Sequence, residues 1–196
     1  MHPRPRLLLC LGLLFCLLPL TAQDLSLPDF NAANLGHQRG AMYVLGGWAA
    51  LNITGGLILR GRTTGEARRF HEMNALWNTV NLAIAGAGYY SAVTADPSGW
   101  DLATSLGKQH GFEKVLLFNA GLDVGYVMGG LYLRERANRP DADRDQLRGY
   151  GNAVILQGGF LFAFDLVNYF LASGRVEGLD LRLGQTAEGV GMVLTF

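Results

Sequence analysis

Two aspartates inside long apolar stretches are the residues of this sequence best suited to chemistry. Asp123 lies in VLLFNAGLDVGYVMGGLYL and Asp165 lies in YGNAVILQGGFLFAFDLVNYFLA, and neither stretch contains Lys, Arg or His. A carboxylate in an apolar medium must be protonated, hydrogen-bonded by amide or hydroxyl donors, or reached by water. Each aspartate therefore indicates either a proton or solute site or a hydrogen bond between helices.

Amide and hydroxyl side chains accompany the aspartates at helical spacing. One apolar stretch carries three asparagines at positions i, i+4 and i+7, and the next repeats that spacing with Asn, Asp and Tyr. Such spacing places each set on one side of a helix, and in a membrane the polar side must face other protein groups. Structural hydrogen bonding is the favoured interpretation for the asparagines. The predicted polar site comprises Asn52, Asn78, Asn81, Asn119, Asp123, Tyr126, Gln157, Asp165 and Asn168.

Four stretches of spanning length must position these side chains, at 40–59, 74–95, 115–133 and 150–172. A bilayer core needs about 20 predominantly apolar residues in a helix. None of the four shows sustained two-residue alternation, so helices are favoured over the strands of an outer-membrane barrel. We therefore predict an all-α membrane protein with four transmembrane helices in a domain at 40–172.

The first residues of the chain have the pattern of a secretory signal peptide. Residues 1–22 contain a basic start, an apolar run at 7–18 and small residues before position 23, which predicts cleavage there. An uncleaved signal anchor is the alternative. Both cysteines, Cys10 and Cys16, lie in this segment. The mature chain would have no thiol, and it would begin with an exported segment at 23–39.

The distribution of basic residues predicts an orientation. The connections at 60–73 and 134–149 hold nine arginines, whereas the segments predicted to lie on the other side hold five Lys and Arg residues in all. Basic connections favour the cytoplasmic side. This predicts a bacterial inner-membrane protein with both mature termini outside the cytoplasm. The chain as a whole has 16 basic and 16 acidic residues, which argues against a nucleic-acid partner.

The chain also contains an internal repeat. Ten pairs are identical when 41–90 is aligned with 115–164 without a gap, and six of them fall in the pattern GGLxLRxR. The others include Asn78 with Asn152. The repeat predicts two parallel helical hairpins in a pseudo-twofold bundle, and its glycine doublets predict close contacts between helices.

Local signals predict where the outer helices begin and end. Ser26 has the type of an N-cap residue, with Pro28 in the first turn that follows. Gly174 is a candidate end of the last helix. Beyond it, the exported tail at 173–196 alternates apolar and polar residues around 179–183 and again around 190–196. We therefore predict a short C-terminal β-hairpin outside the membrane.

Two segments resemble the signatures of a known family. These are MNALWNTVNLAIAG at 73–86 and GYGNAVILQGGFLFAFDLVNY at 149–169. They are similar to an uncharacterised bacterial family of small four-helix membrane proteins, a domain of unknown function. The resemblance implies a signal peptide, four spans and a short exported tail, and it implies no activity.

Three functions follow from these observations. The favoured one is a non-enzymatic assembly or accessory protein with a buried polar core, whose partners are the lipid bilayer and other membrane proteins or a second copy. The first alternative is transport of a proton or small solute by Asp123 and Asp165. The second is an intramembrane aspartyl hydrolase, although Leu122 and Phe164 stand where the pattern of such enzymes has Gly and Tyr. No cofactor, metal or catalytic residue is assigned, because the histidines lack metal-ligand spacing.

Overall fold

A computed structural model describes residues 26–186 of the chain, with side chains up to residue 176. It contains four α-helices: α1 at Leu27–Arg60, α2 at Gly65–Thr94, α3 at Leu102–Arg136 and α4 at Arg144–Thr186. The predicted signal peptide lies outside the described residues.

Side chains cap the first turns of α1 and α3. Ser26 accepts a hydrogen bond from the backbone N–H of Asp29 at 3.3 Å, and a proline lies in the first turn, as the sequence predicts. Asp101 accepts from the backbone N–H of Thr104 at 2.8 Å. Hydrogen bonds from the side chain and the backbone of Thr104 lower the pKa of Asp101. Both caps satisfy an N–H group that the helix itself leaves unpaired.

The predicted C-terminal β-hairpin is wrong. Helix α4 does not end at Gly174 but continues to Thr186, so the residues predicted as the first strand, 179–183, are helical. Extending an existing helix satisfies each new N–H group within the chain, whereas a lone hairpin is marginally stable. Three alternating leucines were too short a pattern to overcome that difference. The second predicted strand, at 190–196, lies outside the described residues.

The prediction of four transmembrane helices is also wrong. Three helical segments in the described part of the chain are long and apolar enough to cross a membrane: Leu27–Arg60, Leu102–Arg136 and Arg144–Val176. Helix α2 does not reach that hydropathy, because asparagine, glycine, serine and threonine are interspersed among its apolar residues. It nevertheless packs between two of the apolar helices.

The helices are arranged as two hairpins that meet along α2 and α4. Helix α1 packs along α2, α3 packs along α4, and α2 packs against α4. By contrast, the backbones of α2 and α3 nowhere approach closely in the described part of the chain, and α1 meets α3 and α4 only locally. This arrangement leaves one groove between α2 and α3 and a second between α1 and α4.

Glycines set the closest helix contacts, as the sequence predicts for part of the doublets. A Cβ atom on Gly56 would lie 2.8 Å from the carbonyl oxygen of His71, and one on Gly130 would lie 2.7 Å from that of Gly151. A Cβ atom on the neighbouring Gly55 or Gly129 would meet no atom of the described residues within 4 Å. One glycine of each doublet therefore permits close packing, and the other faces outwards.

These contacts also correct the register of the internal repeat. The alignment without gaps pairs Gly56 with Gly130, and the structure agrees, because the two glycines make equivalent contacts. The same alignment pairs His71 with Asp145, whereas the contacts of the two glycines pair His71 with Gly151. Helix α3 therefore matches α1 in the predicted register, and α4 matches α2 in a register shifted towards the C-terminus. Part of the shift arises because the connection between α3 and α4 is longer than the one between α1 and α2.

A second pair of contacts follows the same two registers. The Nε2 of Gln157 lies 3.5 Å from the Oδ1 of Asn52, between α4 and α1. At the equivalent positions between α2 and α3, the rings of Trp77 and Tyr126 meet edge to face at 4.8 Å. The two hairpins are thus related by a pseudo-twofold axis along the bundle. In these registers, the predicted match of Asn78 with Asn152 is not structural.

The bundle is polar inside and apolar outside. Nine of the fourteen buried apolar residues are alanines, whereas eleven polar residues are buried. Large apolar side chains such as Leu51, Phe118 and Phe170 are exposed. This distribution is the reverse of the one that water favours.

Candidate functional site

A cavity of about 490 Å³ opens between α2 and α3, with α4 and α1 behind it. Its volume is within the range of small-molecule sites, about 300–1,000 Å³. Most of its lining is apolar or aromatic. Five residues of the predicted polar site line it together: Asn81, Asn119, Asp123, Tyr126 and Asp165.

The two aspartates meet at this cavity. Their carboxyl groups face each other across the contact between α3 and α4, close enough to interact directly. Asp123 is 2% exposed and Asp165 is 5% exposed, and no amide or hydroxyl group of the described residues donates to the Oδ2 of Asp123. None of the described residues that line the cavity is Lys, Arg or His. Two adjacent anions repel each other in an apolar setting, so the pair must share a proton or bind a donor from outside the protein.

The repeat shows that helix packing does not require these aspartates. In the registers that the structure gives, Asp123 corresponds to Ala49 and Asp165 corresponds to Ala85. Both alanines are buried in the contact between α1 and α2. The first hairpin therefore packs with two methyl groups at the place where the second has two carboxyl groups.

The two sides of the bundle differ in one aromatic stack, although a groove of about 540 Å³ lined by Phe160 also lies between α1 and α4. On the side of α1 and α4, the rings of Trp48 and Phe160 stack at 3.8 Å with an interplanar angle of 5°. The corresponding residues on the other side are Leu122 and Val80, both of which line the cavity. Smaller side chains at these two positions widen this part of the cavity, where the other half has the two stacked rings.

The amide side chains of the predicted site mostly form hydrogen bonds within the bundle, several of them to Asn74 and Trp48, which the sequence prediction left out of the site. The Nε2 of Gln157 donates to the Oδ1 of Asn74 at 2.8 Å, and the Nε1 of Trp48 donates to the Oε1 of Gln157 at 2.9 Å. The Nδ2 of Asn78 donates to the carbonyl oxygen of Asn74 at 2.8 Å. With its weaker contact to Asn52, Gln157 thus joins α1, α2 and α4 in one layer. The bonds of Gln157 have the geometry of structural interhelical hydrogen bonds, whereas the bond from Asn78 lies within α2.

Asn168 lies apart from the rest of the predicted site. Its Oδ1 is 2.8 Å from the Nε2 of His37, and it lines the groove between α1 and α4. The Nδ1 of His37 in turn contacts the guanidinium of Arg175. Asn168 therefore belongs to a cluster near the end of the bundle where α1 begins.

Sequence reasoning missed this end of the bundle. Asn31, Asn34, Ser105 and Gln109 are all buried there, and Gln109 donates to the carbonyl oxygen of Ala172 at 2.8 Å. A signal was present, because the first two are spaced i, i+3 and the last two i, i+4, which is helical spacing. The predicted spans began too late, at 40 and 115, and excluded these residues.

The two arginine-rich connections share the opposite end of the bundle. The Nδ2 of Asn152 in α4 donates to the Oε1 of Glu66 in α2 at 2.7 Å. Glu72 forms ion pairs with Arg60 at 3.4 Å and with Arg69 at 3.1 Å. Among the described residues, no cluster of three or more His, Asp and Glu could hold a metal ion.

Comparison with known proteins gives a family and no activity. No curated protein matches the chain, and no solved structure matches it. The model of one family matches residues 44–166, which is more than half of the chain and includes both cavity aspartates. The chain therefore belongs to a family of unknown function, DUF6992.

Proposed function

We propose that this chain is an integral membrane protein that takes up a proton or a small solute in the cavity between α2 and α3. Asp123 and Asp165 are the groups that hold it. The observation that carries the proposal is the aspartate pair itself, which faces a cavity and stands where the other hairpin has two alanines.

The distribution of side chains supports a membrane setting. Three helices are long and apolar enough to cross a bilayer, and the large apolar side chains of the bundle point outwards. Such a surface is stable in lipid. The polar groups inside the bundle, by contrast, need hydrogen-bond partners within the protein. The layer of amides around Gln157 provides those partners.

The arrangement of the connections supports an orientation. Because both arginine-rich connections lie at one end of the bundle, the positive-inside rule assigns that end to the cytoplasm. We place the protein in the bacterial inner membrane, with the beginning of α1 and the end of α4 outside the cytoplasm.

Reconstitution in liposomes tests the proposed uptake. Purified protein would be incorporated into liposomes that contain a pH-sensitive dye, and a pH or ion gradient would be imposed. We expect proteoliposomes to show a pH- or ion-dependent flux that is lost in the double variant Asp123→Ala/Asp165→Ala. A flux no greater than that of protein-free liposomes, under every gradient, would remove the proposal.

The layer of bonded amides favours a second function, that of an assembly or accessory protein. In that case the aspartates only hold α3 to α4, and the partner is another membrane protein. The test is complementation of a deletion strain. If deletion of the gene causes a growth defect and the Asp123→Asn/Asp165→Asn variant restores growth in full, this function is favoured over uptake.

The closeness of the two carboxyl groups is also compatible with hydrolysis, because a pair of aspartates that share a proton can activate a water molecule. The neighbouring residues Leu122 and Phe164 still depart from the pattern of such enzymes. Mass spectrometry of transmembrane peptides incubated with the protein would detect cleavage, and cleavage that persists in the Asp123→Asn variant would exclude this role.

A further inference from the structure

We infer that the cavity takes an amphipathic molecule whose head is an amine or ammonium group and whose body is a hydrocarbon, and that this molecule enters from the bilayer between α2 and α3. The inference rests on the function proposed above and specifies its ligand.

The polar groups of the cavity call for a ligand that donates hydrogen bonds. The Oδ2 of Asp123 is buried, accepts no hydrogen bond from an amide or hydroxyl group of the described residues, and faces Asp165 across the same contact. The Nδ2 of Asn81 is already bound to the Oδ1 of Asn78 at 3.2 Å, which leaves its own Oδ1 as an acceptor. An ammonium group offers three donors and a positive charge, and it thus complements a pair of carboxylates and a free carbonyl.

The apolar walls of the cavity favour a ligand with an apolar body. Val80, Ile84, Val115 and Leu116 line the cavity together with the aspartates. The aromatic pair of Trp77 and Tyr126 lies beside the carboxyl groups, where the faces of the rings also favour a cation. A fully hydrated cation would leave these walls unused, whereas an alkyl amine would contact both the walls and the acceptors.

The route follows from the side on which the cavity opens. Because α2 and α3 do not approach each other closely, their groove is the open face of the cavity. Val80 and Leu122 line it and are 60% and 41% exposed, so they border its mouth. In a membrane this face meets lipid, and a ligand with a hydrocarbon body is already concentrated there.

The repeat supplies a variant that should close the cavity without disturbing the bundle. Val80→Phe/Leu122→Trp introduces the same two residues that stack on the opposite side, at the equivalent positions. The matched variant Asp123→Ala/Asp165→Ala introduces the residues that the first hairpin has there. The first variant tests whether ligand binding needs the open space of the cavity, and the second tests whether it needs the carboxyl groups.

Binding of a matched series of probes tests the inference. Radiolabelled decylamine, decanol and decanoate have the same chain and differ in the head group, and each would be equilibrated with the full chain in nanodiscs of neutral lipid, with empty nanodiscs as the blank. We expect saturable binding of decylamine only. The affinity should fall at least about tenfold in Asp123→Ala/Asp165→Ala, because buried acceptors are removed. Binding should be lost in Val80→Phe/Leu122→Trp.

Two results would overturn the inference: equal binding of decylamine and decanol, or decylamine binding that survives in both folded variants. If neither variant folds, as judged by circular dichroism, the comparison of head groups on the natural sequence decides alone. A proton flux without saturable amine binding would refute this ligand class and leave the proposed function standing. Amine binding without any proton or ion flux in liposomes would support the ligand class and remove the proposed function.

Discussion

At the scale of single residues, the burial of Asp123 next to Asp165 is unfavourable unless the pair shares a proton or binds a donor. No described amide or hydroxyl group donates to the Oδ2 of Asp123, and no described cation lines the cavity. Replacing such a buried charged group by apolar residues is often neutral or stabilising. The equivalent pair Ala49 and Ala85 shows that methyl groups fit this contact.

We therefore predict that Asp123→Ala/Asp165→Ala unfolds at the same temperature as the natural sequence or at a higher one. Thermal unfolding of the purified proteins in one detergent, followed by circular dichroism, measures this. The control is Gln157→Ala, which removes a side chain that bonds to Trp48 and Asn74. It should be destabilised by about 1 kcal/mol, the sum of two membrane hydrogen bonds of ~0.6 kcal/mol each. A marked loss of stability in the aspartate variant would mean that the pair holds α3 to α4.

The sequence could predict that these side chains lie inside the bundle but not which of them meet. Helical spacing gives the direction of each side chain, and the sets around Asn78 and Asp165 are buried, whereas Asn119 and Tyr126 beside Asp123 are half-buried. Which residues face one another depends on how far one helix slides along the next. That register depends on contacts such as Gly130 with Gly151, which link residues distant in sequence. Helical spacing in the sequence therefore predicts that Asn168 lies in the same site as the aspartates, whereas in the structure it contacts His37.

At the scale of helices, each glycine doublet offers one tightly packed glycine for a substitution and its unpacked neighbour as the control. A Cβ atom on Gly130 would lie 2.7 Å from both the carbonyl oxygen of Gly151 and the Cγ1 of Ile155, whereas one on Gly129 would meet nothing within 4 Å. We expect Gly130→Ala to lower the free energy of unfolding by about 1–3 kcal/mol, since α3 and α4 must separate to admit the methyl group. Gly129→Ala should be neutral or stabilising, because alanine favours helix by up to about 1 kcal/mol over glycine. Unfolding of both variants in a mixed detergent would measure the difference, and equal stability would contradict the role assigned to Gly130.

The ends and registers of the helices were the part of the fold that the sequence predicted least well. Ser26 caps α1 as predicted, because an N-cap acts through atoms close together in the chain. The end of α4 and its register relative to α2 depend on tertiary structure and on the length of one connection. An alignment without gaps cannot show that difference in length, so it paired Asn78 with Asn152.

At the scale of the whole molecule, the outward-facing apolar surface and the shared end of the arginine-rich connections make a joint prediction about orientation. Arg62 lies in the connection between α1 and α2, Ser98 lies in the connection between α2 and α3, and both are exposed. A single cysteine would be introduced at each position after Cys10→Ala and Cys16→Ala. In intact spheroplasts, a membrane-impermeant maleimide should label the cysteine of Ser98→Cys at once and that of Arg62→Cys only after lysis.

A third variant, Phe118→Cys, tests in the same experiment whether lipid covers the apolar surface, independently of the orientation of the bundle. Phe118 is 68% exposed in the middle of an apolar surface. In lipid this cysteine should resist the impermeant maleimide even after lysis and react once detergent dissolves the membrane, because the thiolate needed for reaction does not form in hydrocarbon. Rapid labelling after lysis would show that water or another subunit, rather than lipid, covers this face. Labelling of Arg62→Cys in intact spheroplasts, with Ser98→Cys protected, would reverse the orientation and place the arginine-rich end outside the cytoplasm.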